Sequence, residues 1–228
     1  LHRFAEKLPV PSLLIFIALG MFFGENGPLG IVFNEYAISE NICSACLIVV
    51  MFYGGFGTNI HVAKPVVGRA FFLASAGVFL TAAFVGIFSH YVLGLSWMES
   101  FLIGAVLSST DAASVFNILR SQKMALKNHT DSLLELESGS NDPMSYLLTV
   151  VMVSLVTGQQ VSVPVLFLQQ MIFGVLGGLL VGWVSVLLLN RFDFSMEQGK
   201  TIFVFAAAII AYALPNEVGG NGYLSVYV

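Results

Sequence analysis

Long apolar runs recur along this 228-residue chain, and their length is the feature that most constrains its fold. A helix needs about 20 predominantly apolar residues to cross the hydrocarbon core of a bilayer. The runs predict about seven such spans, with an eighth beginning near Gly222. The predicted spans cover residues 9–23, 41–56, 70–91, 97–119, 132–157, 163–189 and 201–214.

The composition fits a protein whose surface lies mostly in lipid. Charged residues make up only 10% of the chain, compared with about 25% in soluble globular proteins. The two-residue alternation of barrel strands is absent from the sequence. We therefore predict an all-α polytopic membrane protein, a helical bundle in which residues 1–228 form a single transmembrane domain. Because the sequence lacks a starting Met and ends within an apolar stretch, we expect a fragment of a larger domain.

The basic residues indicate the orientation of the chain in the membrane. All nine lysines and arginines fall on one side of the alternating path that the predicted spans define. They are Arg3, Lys7, Lys64, Arg69, Arg120, Lys123, Lys127, Arg191 and Lys200. Because Lys and Arg are concentrated in cytoplasmic loops, we predict that the N-terminus of this chain is cytoplasmic.

Two carboxylates lie deep inside predicted spans. Asp142 is about ten residues into its span, or ~15 Å at 1.5 Å per residue, near the middle of a ~30 Å hydrocarbon core. Asp111 lies at a similar depth on the preceding, antiparallel span, and no Lys or Arg lies inside any predicted span. A charge at this depth costs about 2.5–3.5 kcal/mol on insertion scales, so a functional role is the default interpretation.

Both acids occur where the sequence predicts interrupted helices. Asp111 follows three hydroxyl residues ending at Thr110, and such side chains compete for helix hydrogen bonds. A break there would turn carbonyl groups such as that of Thr110 toward a cavity. Pro143 directly follows Asp142 and lacks an N–H group, so the carbonyl of Gly139 loses its helical donor.

Further oxygen and amide groups lie one helical turn from these positions. Ser138 and Asp142 are four residues apart and share a helix face, as do Glu137 and Asn141. Carboxylate, hydroxyl and carbonyl oxygens suit hard cations, and by the same logic alkali ions. Interrupted helices at the membrane midplane are a common way for secondary transporters to build their sites. The acid must therefore be protonated, face water or bind a cation, and the surrounding groups fit an oxygen site for a hard or alkali cation.

Two stretches carry a resemblance to a known family. GAVLSSTDAASVF at residues 104–116 and LESGSNDPM at residues 136–144 resemble the NhaP branch of the monovalent cation/proton antiporters, most of all its bacterial potassium/proton antiporters. Supporting stretches lie at residues 19–28 and 219–227, and the likeness runs over nearly the whole chain. It implies an antiporter-type fold, here truncated, with discontinuous helices that cross near the midplane.

The resemblance also implies roles for particular residues. Asp142 would bind either a proton or the cation, with Ser138 and the backbone of Thr110 as further ligands. Asp111 would shape the crossing of the unwound segments. Glu137 and Asn141 would be structural, together with an arginine from a later helix and with Pro143 in support of the site. An Asn–Asp pair goes with electroneutral exchange in this family.

The same resemblance suggests the setting in which the protein works. It implies exchange of K⁺ or Na⁺ for H⁺ without a cofactor, in a bacterial inner membrane, by a homodimer of the full-length protein; no nucleic-acid partner is expected. One position departs from the family pattern. Relatives often carry an acid before a Gly-Gly pair where this chain has Tyr53, so the choice between Na⁺ and K⁺ stays open.

Two other function classes compete with antiport. Two aspartates on adjacent spans could share a proton in an intramembrane aspartyl protease, as they do in soluble aspartic proteases. The Gly-x-Gly-Asp motif of presenilin-like enzymes is missing, because Asn141 precedes Asp142. A cation channel is the second alternative. We expect a transporter rather than an enzyme, with saturable coupled exchange as the property that separates it from both.

Overall fold

The computed structural model describes residues 12–58, 63–110, 126–127, 130–159, 162–191 and 197–228. Within these ranges the secondary structure is helical and contains no strand, which confirms the all-α prediction. The helices are α1 (Ser12–Phe23), α2 (Tyr36–Gly57), α3 (Val67–Leu93), α4 (Trp97–Val106), α5 (Thr130–Val156), α6 (Val163–Arg191), α7 (Glu197–Glu217) and α8 (Gly222–Tyr227).

Four of these helices are long and apolar enough to cross a membrane, namely α2, α3, α6 and residues 198–217 of α7. Residues 14–23 of α1 and all of α4 form shorter apolar helices. Helix α5 has 27 residues, as long as α3, but its first half holds Asp131, Glu135 and Glu137 and lowers its hydropathy. Large apolar side chains are exposed along the spans, as lipid contact requires.

The chain divides into two compact units, residues 1–44 and residues 45–228. In the first unit, α1 ends in a tight turn in which the Gly27 N–H donates to the Gly24 carbonyl at 2.8 Å. A side chain at Gly27 would strike the backbone carbonyls of Met21 and Phe22, so the turn requires glycine. The prediction of one transmembrane domain over residues 1–228 stays a prediction.

In the second unit, the helices from α3 onward form two groups. Helices α3, α4 and α5 pack extensively against one another, as do α6, α7 and α8, whereas α5 makes fewer contacts with α6 and α8. The apolar core of the second group includes Val181, Ala208, Ala211, Tyr223 and Val226, together with Met51 of α2. The candidate site lies within the first group, on α4 and α5.

A capping box fixes the beginning of α4. Ser96 accepts a hydrogen bond from the Glu99 N–H at 3.4 Å, and the Glu99 carboxylate accepts from the Ser96 N–H at 3.1 Å. This reciprocal arrangement satisfies two backbone donors that a helix N-terminus otherwise leaves unpaired. Because α4 begins at a fixed residue, its short length places its end at the candidate site.

Candidate cation site

The hydroxyl run predicted to interrupt a helix does so. Helix α4 ends at Val106, and the chain leaves the helical path through a turn at residues 107–108. The buried Ser108 hydroxyl donates to the Ala105 carbonyl at 2.7 Å, which takes the place of a continuing helix bond. Thr110 then follows in non-helical backbone, so its carbonyl is directed away from the helix ladder.

Helix α5 takes a different course, since it continues through Pro143 from Thr130 to Val156. Proline removes one helix hydrogen bond, and neighbouring groups stabilise the helix on its C-terminal side. The Ser145 hydroxyl donates to the Ala105 carbonyl on α4 at 2.8 Å, and the Asn221 amide donates to the Pro143 carbonyl at 3.1 Å. Among the described residues, the helix interruption therefore lies at the end of α4, and α5 is a continuous helix beside it.

Two side chains of α5 contact Thr110. The Ser138 hydroxyl donates to the Thr110 carbonyl at 3.0 Å, and the Asn141 amide donates to the same carbonyl at 3.4 Å and to the Thr110 hydroxyl. The structure thus brings together three residues that the sequence assigned to the site. Asn141 is 1% exposed and also donates to the Glu137 carboxylate at 3.2 Å. Asn141 therefore ties the end of α4 to two successive turns of α5.

Asp142 is half-buried and lies beside the same end of α4. The Ser109 hydroxyl donates to its carboxylate and also reaches the Asn141 side-chain oxygen at 3.4 Å. Ser109 belongs to the hydroxyl run that interrupts the helix, and the sequence pattern does not predict its contact with the acid. The signal for that contact was its position next to Thr110, but no residue spacing indicated which hydroxyl would face Asp142.

Two expectations from the sequence are not tested by the described residues. Asp111 lies outside the described residues, so its assignment to the site stays a prediction. Tyr53, where the resemblance led us to expect an acid, is 81% exposed on α2. Its effect on cation choice also stays a prediction.

Two residues at the ends of α8, Asn221 and Tyr227, contact α5, and neither is assigned to the site from the sequence. The Tyr227 ring lies between Gly54 of α2 and Gly139 of α5. A Cβ atom at Gly139 would be 2.7 Å from the Tyr227 hydroxyl oxygen, so this approach depends on glycine. Asn221 contacts the backbone of Pro143, directly after Asp142. Both residues belong to the stretch 219–227 that supported the family resemblance.

The chemistry of the cluster is that of an oxygen site. Within the described part of the chain, no three His, Cys, Asp or Glu side chains come together as a transition-metal site would need. The oxygen atoms near Asp142 come from hydroxyls, a backbone carbonyl and the carboxylate itself. Such ligands can take the place of water around a hard cation of low charge.

Comparisons with known proteins agree over the entire chain. The family model "Sodium/hydrogen exchanger, transmembrane" matches residues 1–228. The K(+)/H(+) antiporter NhaP of Alkalimonas amylolytica is 37% identical over 227 residues, which cover 98% of this chain and 39% of that protein. The K(+)/H(+) antiporter NhaP2 of Shewanella oneidensis is 34% identical, over 100% of this chain and 40% of that protein.

A less similar relative is named as an antiporter of a different cation. The Na(+)/H(+) antiporter ApNhaP of Aphanothece halophytica is 26% identical over 99% of this chain and 42% of its own length. The chain thus spans about two fifths of the length of these curated relatives.

Proposed function

Because the chain belongs to the sodium/hydrogen exchanger family, we propose that it forms part of a secondary transporter that exchanges a monovalent cation for protons. The observation that carries the proposal is the position of Asp142. It lies on α5 beside the interrupted end of α4, within a cluster of hydroxyl and carbonyl oxygens. The protein is a multi-pass membrane protein, and its ions are substrates rather than cofactors.

Competition for one carboxylate explains the exchange. An ionised carboxylate near the middle of a bilayer is costly unless a cation neutralises it or a proton is bound. Asp142 therefore has two favourable states, one with a proton and one with a metal ion, and the two exclude each other. A carrier that crosses the membrane only in these states couples the flow of one ion to the flow of the other.

The neighbouring residues supply the remaining ligands. The Ser138 hydroxyl and the Thr110 carbonyl oxygen lie 3.0 Å apart, and a hydroxyl can accept from one direction while it donates in another. The Ser138 hydroxyl can therefore turn toward a cation held by Asp142, which frees one lone pair of the Thr110 carbonyl oxygen to act as a ligand as well. Asn141 and Glu137 keep the end of α4 in register with α5, and Pro143 supports the site. Asp111 would contribute from the segment that follows Thr110.

Alternating access requires the site to open to one side of the membrane at a time. The tight packing within α3–α5 and within α6–α8, with fewer contacts from α5 to α6 and α8, supports rocking of one helix group against the other. In the proposed transporter, α4 and α5 carry the ion as a unit, since the bonds between them hold Thr110, Asn141 and Ser145 together.

The identity of the cation is the finer part of the proposal. The more similar relatives are named K(+)/H(+) antiporters and the more distant one a Na(+)/H(+) antiporter, so K⁺ is the first ion to test. The basic residues support a cytoplasmic N-terminus for this chain, in the inner membrane of a bacterial cell. We also propose that the complete protein is a homodimer.

Membership of an exchanger family disfavours the aspartyl protease alternative, because the relatives are antiporters rather than enzymes. The channel alternative differs in a measurable way. A channel passes ions without coupling, whereas the proposed transporter saturates with cation and moves protons in the opposite direction.

The test is Asp142→Asn in the complete polypeptide, reconstituted in proteoliposomes with an internal pH dye. Addition of K⁺ or Na⁺ should move protons in vesicles with the native protein, and the variant should abolish this flux because an amide binds neither a proton nor a cation tightly. Asp131→Asn is the matched control, since it makes the same change in the exposed first turn of α5. Normal cation-dependent proton flux in the Asp142 variant would refute the proposal.

A further inference from the structure

Asn221 is the fully buried N-cap residue of α8. Its side chain is 0% exposed, and its amide oxygen accepts a hydrogen bond from the Leu224 N–H at 3.0 Å. Its amide nitrogen donates to the Pro143 carbonyl on α5 at 3.1 Å. One side chain therefore begins α8 and contacts the carbonyl of Pro143, the residue that directly follows Asp142.

The orientation of this amide is determined by its partners. An amide oxygen can only accept a hydrogen bond and an amide nitrogen can only donate one. The cap of α8 requires the oxygen, so the nitrogen must face Pro143. The backbone of Asn221 is held as well, because its N–H donates to the Gln170 carbonyl on α6 at 3.1 Å and its carbonyl accepts from the Ser225 N–H at 3.1 Å.

The contact lies where α5 is weakest. Pro143 has no N–H group, so the turn that contains Asp142 lacks one of its helix hydrogen bonds. The Asn221 amide holds the carbonyl at the C-terminal end of that turn. It does so from the other helix group, which has few contacts with α5, so this buried bond joins α5 to α8 in the conformation described.

We infer that Asn221 is a positioning residue for the cation site, because its amide holds the α5 backbone in the geometry that Asp142 needs to bind a cation together with Ser138 and Thr110. The inference rests on the proposed function. A purely structural role as the cap of α8 is the alternative, and the two roles use opposite ends of the same amide.

Two substitutions separate these roles. Asn221→Ser keeps a good N-cap oxygen but is too short to reach the Pro143 carbonyl. Asn221→Asp has the shape of asparagine and also keeps the cap, but it presents an acceptor to the carbonyl and can donate only when it is protonated. Asn216→Ser is the control, since Asn216 lies in the last turn of α7, accepts from the Gly222 N–H at 3.3 Å and is exposed.

The measurement is cation-dependent proton flux by the complete polypeptide in proteoliposomes, over a range of K⁺ and Na⁺ concentrations and pH values. Asn221→Ser should raise the half-saturating cation concentration about fivefold, the equivalent of one ordinary hydrogen bond, with a smaller change in maximal rate. The activity of Asn221→Asp, as a ratio to the native protein at each pH, should rise as the pH falls, because protonation restores the donor. Asn216→Ser should match the native protein.

A half-saturating concentration of Asn221→Ser equal to that of the native protein would overturn the inference, as would an Asn221→Asp ratio that is independent of pH. If the serine variant does not accumulate in folded form, the isosteric aspartate variant decides the question. The Asp142→Asn variant keeps the two proposals apart. Transport without Asp142 defeats the proposed function, whereas an inactive Asp142→Asn beside native behaviour of both Asn221 variants defeats only the role of Asn221.

Discussion

The close approach of α3 and α4 makes a quantitative prediction for Gly104→Ala. A Cβ atom at Gly104 would lie 3.0 Å from the carbonyl carbon of Ala82 and 3.1 Å from the Gly86 nitrogen, and closer still to the Ala82 oxygen. All three atoms belong to the backbone of α3, so no side chain can rotate away to make room. The helices would have to separate along their whole contact.

The size of the effect follows from two opposing contributions. Replacement of a helical glycine by alanine gains up to about 1 kcal/mol from helix propensity. Overpacking in a well-packed interior costs about 1–3 kcal/mol, or more where the backbone must shift. Because only backbone could give way at this contact, the cost is about 3 kcal/mol, and after a propensity gain of about 1 kcal/mol we expect Gly104→Ala to lower the free energy of unfolding by about 2 kcal/mol.

Gly77→Ala on α3 is the matched control, because a Cβ atom there would meet nothing within 4 Å. It should gain stability by up to about 1 kcal/mol, since only the propensity contribution remains. The free energies of unfolding of both variants can be measured by denaturant titration in mixed micelles. If Gly104→Ala is as stable as the native protein, or more stable than Gly77→Ala, the packing argument is wrong. Gly104 lies two residues before Val106, where α4 ends beside the candidate site, so Gly104→Ala should also slow transport.

Two further predictions concern contacts of α5. Ser145→Ala removes a buried hydrogen bond to the Ala105 carbonyl on α4 and should lower the free energy of unfolding by about 1–2 kcal/mol. Ser154→Ala is the control and should lower it less, because Ser154 bonds a carbonyl of its own helix. Equal losses in the same denaturant titration would contradict this prediction. Gly139→Ala should lower the free energy of unfolding, because the new methyl group would force the Tyr227 ring away. The loss of stability should be smaller when Tyr227 is already replaced by alanine. A double-mutant cycle that shows no coupling between the two positions would exclude this contact.

The positions of the helices could be predicted from hydropathy, but their ends could not. The apolar run at residues 163–189 became α6, which ends only at Arg191. The run at residues 201–214 became α7, which begins at Glu197 and ends at Glu217. Hydropathy marks the part of a helix that lies in hydrocarbon, whereas backbone hydrogen bonds continue into polar flanking residues. Interrupted helices are the other case, since α4 ends where hydroxyl side chains compete for its carbonyls.

The local half of the candidate site could also be predicted, because Ser138 and Asp142 follow helical spacing and Thr110 ends the hydroxyl run. The contribution of α8 could not. Asn221 and Pro143 are separated by 78 positions in the sequence, and no periodic pattern records such a contact. A glycine at position 139 is consistent with close approach of another group to α5, but only the fold identifies that group as the Tyr227 ring.

The short length of α4 has a consequence for the depth at which an ion would be held. Its ten residues measure ~15 Å, about half the thickness of a ~30 Å hydrocarbon core. Its first residue, Trp97, stacks on His90 and meets Tyr91 edge-on, and aromatic residues of this kind prefer the boundary between lipid and water. The length of α4 would therefore determine the depth of the candidate site. In the proposed transporter, α4 would start at one boundary and end after a fixed number of turns, so the number of its residues would set how far an ion travels from either side.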